Sequence, residues 1–280
     1  MKCKFCNSDA VISYKKIMSP YYQEMSYTLY ECKRCLSRFF DVLQYDVSIN
    51  DLYEKLSADK DNTSNGFINK QYWEDQKKIL LKLLNGKPKS ILDVGCGTGD
   101  FLMHFEDDIV REGVEISSCF TEIANRRGLR IYHENLENLD FSKKYDIVSA
   151  YNIIEHLSDP LRFLDKLDEI IDKKGLLAIL IPSHECLKEK LVMKFRKKWH
   201  MYIPPEHLNF ISKGFLDSYL RKYNFKLLKR YYSSGGLFNP FRGIPVLSAV
   251  FNKFMYYVDN SFFNRLPVFD HIYSYYIKNE

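Results

Sequence analysis

Ser90-Ile91-Leu92-Asp93-Val94-Gly95-Cys96-Gly97-Thr98-Gly99-Asp100 decides how this chain folds. An apolar run closes on an acid, and three glycines then alternate with small residues. The pattern predicts a buried strand that runs into a tight turn and opens a helix at about Asp100. Glycine is needed where backbone turns sharply or approaches a ligand closely. Amides at such a helix N-terminus favour an anion, here a carboxylate. The spacing excludes two phosphate-binding readings. A dinucleotide fingerprint needs a further glycine where Asp100 stands, and a P-loop needs a Gly-Lys-Ser/Thr that the stretch lacks.

Working outward, residues 109–116 read as a second strand ending at Glu115, 22 positions after Asp93. A third strand, Leu129–His133, leads into Glu134-Asn135-Leu136. Tyr145–Asn152 is a fourth, followed by Ile153-Ile154-Glu155-His156-Leu157-Ser158-Asp159-Pro160, and Leu176–Ile181 is a fifth, ended by Pro182. Asp159-Pro160 opens the intervening helix with an N-cap and a first-position proline. Helices are expected at 69–84 (Tyr72, Ile79, Leu80 and Leu83 on one stripe), at 185–198 and at Lys213–Tyr223. Strands alternating with helices predict a doubly wound α/β sheet.

These segments, in this order, resemble the class I S-adenosylmethionine-dependent methyltransferases of the methyltransferase-23 and ubiquinone-biosynthesis type. Their first motif is an acid, an apolar residue and G-x-G-x-G, and an E-H-L-x-D-P segment follows their fourth strand. The resemblance covers residues 70–235. It implies a Rossmann-like seven-stranded sheet ending in an antiparallel hairpin, strand six starting at 224–228 and strand seven at His271–Lys278. It also implies the cofactor contacts. Asp93 orients the turn, while Gly95, Cys96 and Gly97 lie against methionine and ribose. Glu115 holds the ribose hydroxyls, Ile116 flanks adenine, Asn135 and Leu136 meet its edge, and Tyr151 touches the methionine part. Cys96 is read as small rather than reactive. In the family a helix such as 69–84 covers the cofactor, so Tyr72 and Trp73 are either lid residues or plain packing.

The N-terminal part is a different unit. Cys3-x2-Cys6 and Cys32-x2-Cys35 frame 25 residues rich in Tyr, Ile, Val and Thr. Two such knuckles set four thiolates around one Zn2+ with no open position, a structural site. Residues 1–45 resemble a zinc ribbon, too small to fold on its core alone. The division expected is 1–45 for this module, 46–84 for a polar linker and the lid helix, and 85–280 for the methyltransferase domain. Within that domain, 236–266 is an aromatic insertion, helical in expectation, carrying Phe238, Phe241, Phe251, Phe254, Tyr256, Tyr257, Phe262 and Phe263. Core packing, a dimer face, a substrate pocket and a membrane-surface contact all remain open for it.

A chain of 280 residues, 46% hydrophobic, can bury a full core. No signal peptide or apolar run of about 18 residues is read, so no membrane span and a cytoplasmic location are expected. Seven cysteines without a secretion signal favour metal over disulfides. Net charge is +5, but residues 188–230 hold 12 basic and 3 acidic side chains. That segment is either a solvated face or a rim for an anionic substrate.

Methyl transfer needs a base near the acceptor. His156 follows Glu155 just past the fourth strand, at the carboxyl edge where ligands bind. Glu206 and His207, in Pro204-Pro205-Glu206-His207-Leu208, are the second candidates, and His184 is a weaker one. Each also serves as an ordinary helix or backbone anchor. Ubiquinone-biosynthesis enzymes tie Glu-x-x-Glu-His to Mg2+, but Asn152 replaces the first acid here, so no Mg2+ is expected. The function expected is O-methylation of a small molecule, sugar or glycan. The alternatives are an RNA methyltransferase gripping phosphates with the zinc module and the 188–230 face, and a non-catalytic cofactor-binding scaffold. Oligomeric state is not readable.

Overall fold

The computed structural model describes residues 1–22, 24–41, 66–84, 86–195, 197–233 and 262–280. In chain order these form β1 (Val11–Met18), β2 (Ser26–Cys32), β3 (Arg38–Phe40), α1 (Gly66–Leu84), β4 (Ser90–Val94), β5 (Val110–Val114), α2 (Ser118–Arg126) and β6 (Arg130–Tyr132). There follow β7 (Tyr145–Tyr151), α3 (Pro160–Ile170), β8 (Ile171–Pro182), α4 (Leu187–Lys194), β9 (Asn209–Phe210), α5 (Lys213–Arg221), β10 (Phe225–Ser233) and β11 (His271–Lys278). Residues 46–65 of the linker expected over 46–68 and most of the aromatic insertion lie outside the described residues, and 66–68 already belong to α1. Among the described residues no helix is long and apolar enough to cross a membrane.

The large sheet has seven strands in the order β10-β11-β8-β7-β4-β5-β6. β4 to β8 run parallel, and β11 joins β8 and β10 antiparallel. Central parallel strands are covered on both faces, so they read as apolar runs rather than alternations. All five residues of β4 are buried, as are residues 175–182 of β8. The strand order reverses between β4 and β7, which places a crevice beyond their carboxyl ends. Local caps act as the residues predict. Asp159 accepts from the Arg162 amide at the start of α3, and Ser117 and Ser212 cap α2 and α5.

One expected element is corrected. The glycine turn does not open an α-helix at Asp100; only a single 3-10 turn forms, over Leu102–His104. The carbonyls that would carry a helix onward are taken by side chains instead. Lys77 donates to His104 O (2.6 Å) and Arg111 to Phe105 O (3.0 Å), and Phe105 leaves in extended conformation. The basic helix is also shorter than expected, α4 ending at Lys194 rather than 198.

β1, β2 and β3 make an antiparallel sheet, and β9, from between α4 and α5, completes it beside β3. Cys3, Phe5, Cys32 and Phe39 belong to the same buried cluster as β7, β8 and α3. Tyr27, Leu29 and Phe40 pack with Trp199, Tyr202, Leu208 and Phe210. Arg38 crosses the seam. Its guanidinium donates to Glu31 (2.8 Å), Glu189 (2.5 Å) and the Tyr202 hydroxyl (2.7 Å), and lies 3.9 Å from the Tyr14 ring centre. Glu189 is 1% exposed, so this ion pair lies out of water.

Removing one member of a buried ion pair strands the other charge, at a cost of about 3–5 kcal/mol. Arg38→Met is expected to lower the urea-unfolding free energy by about that much, and adding Glu189→Leu is expected to recover most of it. A double variant no more stable than Arg38→Met would show that the pair does not fasten this seam.

Candidate functional site

The turn after β4 is built from three left-handed glycines, Gly95 (φ 73), Gly97 (φ 54) and Gly99 (φ 80). A Cβ on Gly95 would lie 1.9 Å from Ile153 Cδ1, and one on Gly99 2.2 Å from Leu129 Cδ1. Gly97 differs, because a Cβ there would meet nothing within 4 Å. The turn thus packs tightly at its two ends and stands open in the middle. Gly95 and Cys96 amides donate to Val114 O (2.8 and 3.1 Å), tying the turn to β5. Cys96 lies flat over Gly113, where an added Cβ would sit 2.4 Å from its sulfur. Burial pushes its thiol up, so it is a small packed side chain and no nucleophile.

Two carboxyls flank the turn. Glu115 accepts from the Gly97 amide through Oε2 and from the Ser117 amide through Oε1, both at 2.8 Å. No helix N-terminus forms after the turn to hold an anion; of the turn's amides, that of Gly97 is the one that Glu115 accepts from. Asp93 accepts from the Ser149 hydroxyl at 2.6 Å. Burial pushes Asp93 up to about 7, opposed by the Ser149 bond and reinforced by the Glu115 charge. Burial also raises Glu115, against the pull of its amide partners. Ile116 is half-buried and its carbonyl bonds His133 Nε2 (2.9 Å). Asn135 is half-buried on the same rim, and Leu136 is buried beneath it.

An aromatic wall closes the far side. Trp73 of α1 stacks on Tyr151 (5.8 Å, 25°) and abuts Phe101 (5.1 Å). Tyr72 stands 6.2 Å from Tyr273, itself stacked on Tyr231 at 4.6 Å. Tyr72 and Trp73 therefore cover the carboxyl end of β7 as well as packing α1 to the sheet. The hydroxyls of Tyr151 and Tyr273 are buried without a hydrogen-bond partner.

Glu155, His156 and His207 converge beyond β7, one atom of each within 4.8 Å of the others. The imidazoles sit 4.8 Å apart, edge to face. His156 Nδ1 bonds Glu206 O (2.8 Å), and His207 Nδ1 bonds Met201 O (2.9 Å). A carbonyl only accepts, so each neutral ring carries its proton on Nδ1, and Nε2 is the basic nitrogen. His156 Nε2 lies 3.8 Å from Glu155 Oε1. Burial pushes the Glu155 carboxyl up to about 8 and lowers His207 well below the usual histidine range. Glu206 accepts from the Tyr21 hydroxyl, across from the N-terminal module. His184 stands apart, its Nε2 on Leu36 O at 2.8 Å, as a tie to the cysteine knuckle. Tyr21 and Asn209 are the members the sequence did not flag. Asn209 donates to the carbonyls of Ile154 (2.9 Å) and Leu157 (2.6 Å), and only its place after Pro-Glu-His-Leu hints at this.

A methyltransferase-domain family model matches residues 68–230. An uncharacterized protein of Methanocaldococcus jannaschii is 25% identical over 164 residues, 56% of this chain and 77% of the relative. Malonyl-[acyl-carrier protein] O-methyltransferase 1 of Ilyobacter polytropus is 30% identical over 121 residues, 38% of this chain and 45% of the relative. Among solved structures, an S-adenosylmethionine-dependent methyltransferase of Thermotoga maritima, described as a possible histamine N-methyltransferase, aligns with TM-score 0.53. At 18% identity over 83% of this chain and 100% of that one, it shows a shared fold.

The buried carboxyls make stability depend on pH. Asp93 and Glu155 titrate at about 7 and about 8 folded, against ordinary values of 3.8 and 4.5. The folded chain then holds more protons than the unfolded one in that window. Stability falls as pH rises through it and levels off above. Buried His271, lowered to about 4 from 6.5, acts oppositely, but only below about 6.5. The urea midpoint is expected to fall between about pH 6.5 and 8.5, and Glu155→Gln to flatten that fall. An unaltered slope in the variant would mean Glu155 is ionised throughout.

Proposed function

The chain belongs to the methyltransferase-domain family, and we propose that it moves the methyl group of S-adenosylmethionine to an oxygen of a small-molecule, sugar or glycan acceptor. The open middle of the glycine turn carries this reading. Gly97 leaves room for a ligand directly beside the Glu115 carboxylate, at the crevice where the strand order reverses. In this reading Asp93, Gly95, Cys96 and Gly97 lie against methionine and ribose. Each Glu115 oxygen uses one lone pair on an amide and keeps one for a ribose hydroxyl. Ile116, Asn135 and Leu136 border the adenine, and Tyr151 offers its unpartnered hydroxyl to the methionine end.

The bound cofactor supplies a methyl already activated on a sulfonium. The protein aligns the acceptor in line and removes its proton. His156 Nε2 is the proposed proton acceptor, with Nδ1–H held on the Glu206 carbonyl. His207 and Glu206 border the same space. The malonyl-[acyl-carrier protein] O-methyltransferase relative supports oxygen as the accepting atom. The RNA alternative draws less support, because three cations of the basic segment are engaged in ion pairs: Lys188 with Asp270, Lys213 with Glu185 and Arg230 with Asp217.

Cys3, Cys6, Cys32 and Cys35 are proposed to hold one structural Zn2+. Cys3 and Cys35 sulfurs lie 3.7 Å apart, and those of Cys6 and Cys32 3.6 Å. A tetrahedron with Zn–S of about 2.3 Å has edges of about 3.75 Å, which these two pairs match, and all four sulfurs lie within 4.8 Å of one another.

Metal analysis is expected to find about one zinc per chain, lost together with ordered module structure in Cys32→Ser. Glu115→Ala is expected to weaken S-adenosylhomocysteine binding about tenfold or more by calorimetry. His156→Ala should leave that affinity intact while cutting turnover by about 10²–10⁴. Turnover is followed with methyl-labelled cofactor in fractionated extract. Label in ribonuclease-sensitive material rather than in sugar, glycan or small molecules would overturn the proposed acceptor class.

A further inference from the structure

Residues 199–212 form a bridge between the four-cysteine module and the end of β7, and both sides grip it. On the module side, the Tyr21 hydroxyl donates to Glu206, and the Phe40 amide donates to Leu208 O at 2.9 Å. Arg38 donates to the Tyr202 hydroxyl at 2.7 Å, and β3 pairs with β9. The Ser212 amide donates to Ser37 Oγ (3.0 Å), and its hydroxyl to Cys35 O (2.5 Å). Cys35 is one of the four clustered thiols, so this last bond ends on a proposed metal ligand. On the other side, the Leu208 amide donates to Glu155 O at 2.6 Å. Asn209 holds the Ile154 and Leu157 carbonyls, and His156 Nδ1 donates to Glu206 O.

The bridge has almost no regular structure of its own, only the two residues of β9. Its order must therefore come from the surfaces it touches. One of those surfaces is the module whose four clustered thiols are the proposed zinc ligands, so metal there would stiffen it. Glu206 occupies the middle of the relay, its carboxylate held by Tyr21 and its carbonyl holding His156. β4, β5 and the glycine turn are held differently, by β7 and by packing under α1.

We infer that the four-cysteine module is a wall of the acceptor side of the methyl-transfer site, and that Tyr21 is a positioning residue acting through Glu206 on His156. The inference rests on the methyltransferase reading of that site. Tyr21, Ser37, Arg38 and Phe40 of the module are spent on the bridge. Tyr21 holds the Glu206 backbone where its carbonyl selects the Nδ1–H form of His156, which turns Nε2 into the base. Metal on the cysteines then supports the acceptor half of the site and leaves the cofactor half alone.

Three readouts on the full-length protein test this: hydrogen exchange of amides in 199–212, the ¹⁵N signature of the His156 tautomer, and calorimetric affinity for S-adenosylhomocysteine. Withdrawing metal from the wild type with a chelator is expected to speed exchange at Leu208 and Ser212 about tenfold or more. Affinity for S-adenosylhomocysteine should stay within about threefold. Tyr21→Phe, with metal retained, is expected to move His156 from the Nδ1–H form toward a tautomer mixture and to lower labelled-methyl turnover at unchanged cofactor KM. Wild-type exchange in the metal-free protein, or an unmoved His156 signature in Tyr21→Phe, would overturn the inference. Were no metal found on the cysteines, the zinc proposal would fall and the Tyr21→Phe comparison would still decide this one. Turnover surviving His156→Ala would remove the base, yet the exchange and tautomer results would stand.

Discussion

Gly95 and Ile153 approach so closely that no side chain fits between them. This contact joins the turn after β4 to the residues after β7, the two loops that flank the point where the sheet reverses direction. Much of the proposed chemistry follows from it. The left-handed turn leaves Gly97 open and brings its amide onto Glu115, while Ile153 leads within three residues to His156. A cofactor cradle and a basic nitrogen are thereby set on either side of one packed contact. Close packing of this kind transmits small displacements rather than absorbing them.

The carboxyls around the crevice are held out of water. Asp93 and Glu155 favour their neutral forms for that reason, and Glu115 is raised too, with the amides it accepts from opposing its burial. Stability is given up here to keep polar groups in a dry site, a common feature of functional clefts. The unpartnered hydroxyls of Tyr151 and Tyr273 and the unpartnered Oε2 of Glu155 belong to the same pattern. A fold built for stability alone would have no use for them.

The N-terminal module changes the picture of a catalytic domain with an appendage. Its third strand borrows β9 from the methyltransferase domain, and its Arg38 pairs with Glu189 of α4. Its cysteine knuckle meets His184 and Ser212. The loop bearing His207 is hydrogen-bonded on one flank to the module and on the other to the residues after β7.

Local pattern was enough for the parallel strands of the large sheet, the cap of α3 and the pairing of the two cysteine knuckles, and family likeness added the closing antiparallel hairpin. Each of the local readings depends on residues close in sequence or on a period that one element carries by itself. The helix expected at Asp100 was not readable in this way. The chain leaves the 3-10 turn extended at Phe105, where Lys77 and Arg111 reach the carbonyls of His104 and Phe105 from other elements. The pairing of His156 with His207, the Tyr21–Glu206 bond and the Arg38–Glu189 pair were equally hidden. Their members stand 51, 185 and 151 positions apart, and nothing local distinguishes such partners from solvated side chains. By itself the sequence determined the class of fold and the place of the glycine turn, because glycine conformation and strand periodicity are local properties. Only the tertiary structure decided which histidine nitrogen is basic, and that the cysteine module stands against the same loop. Those facts depend on carbonyls and hydroxyls contributed by distant parts of the chain.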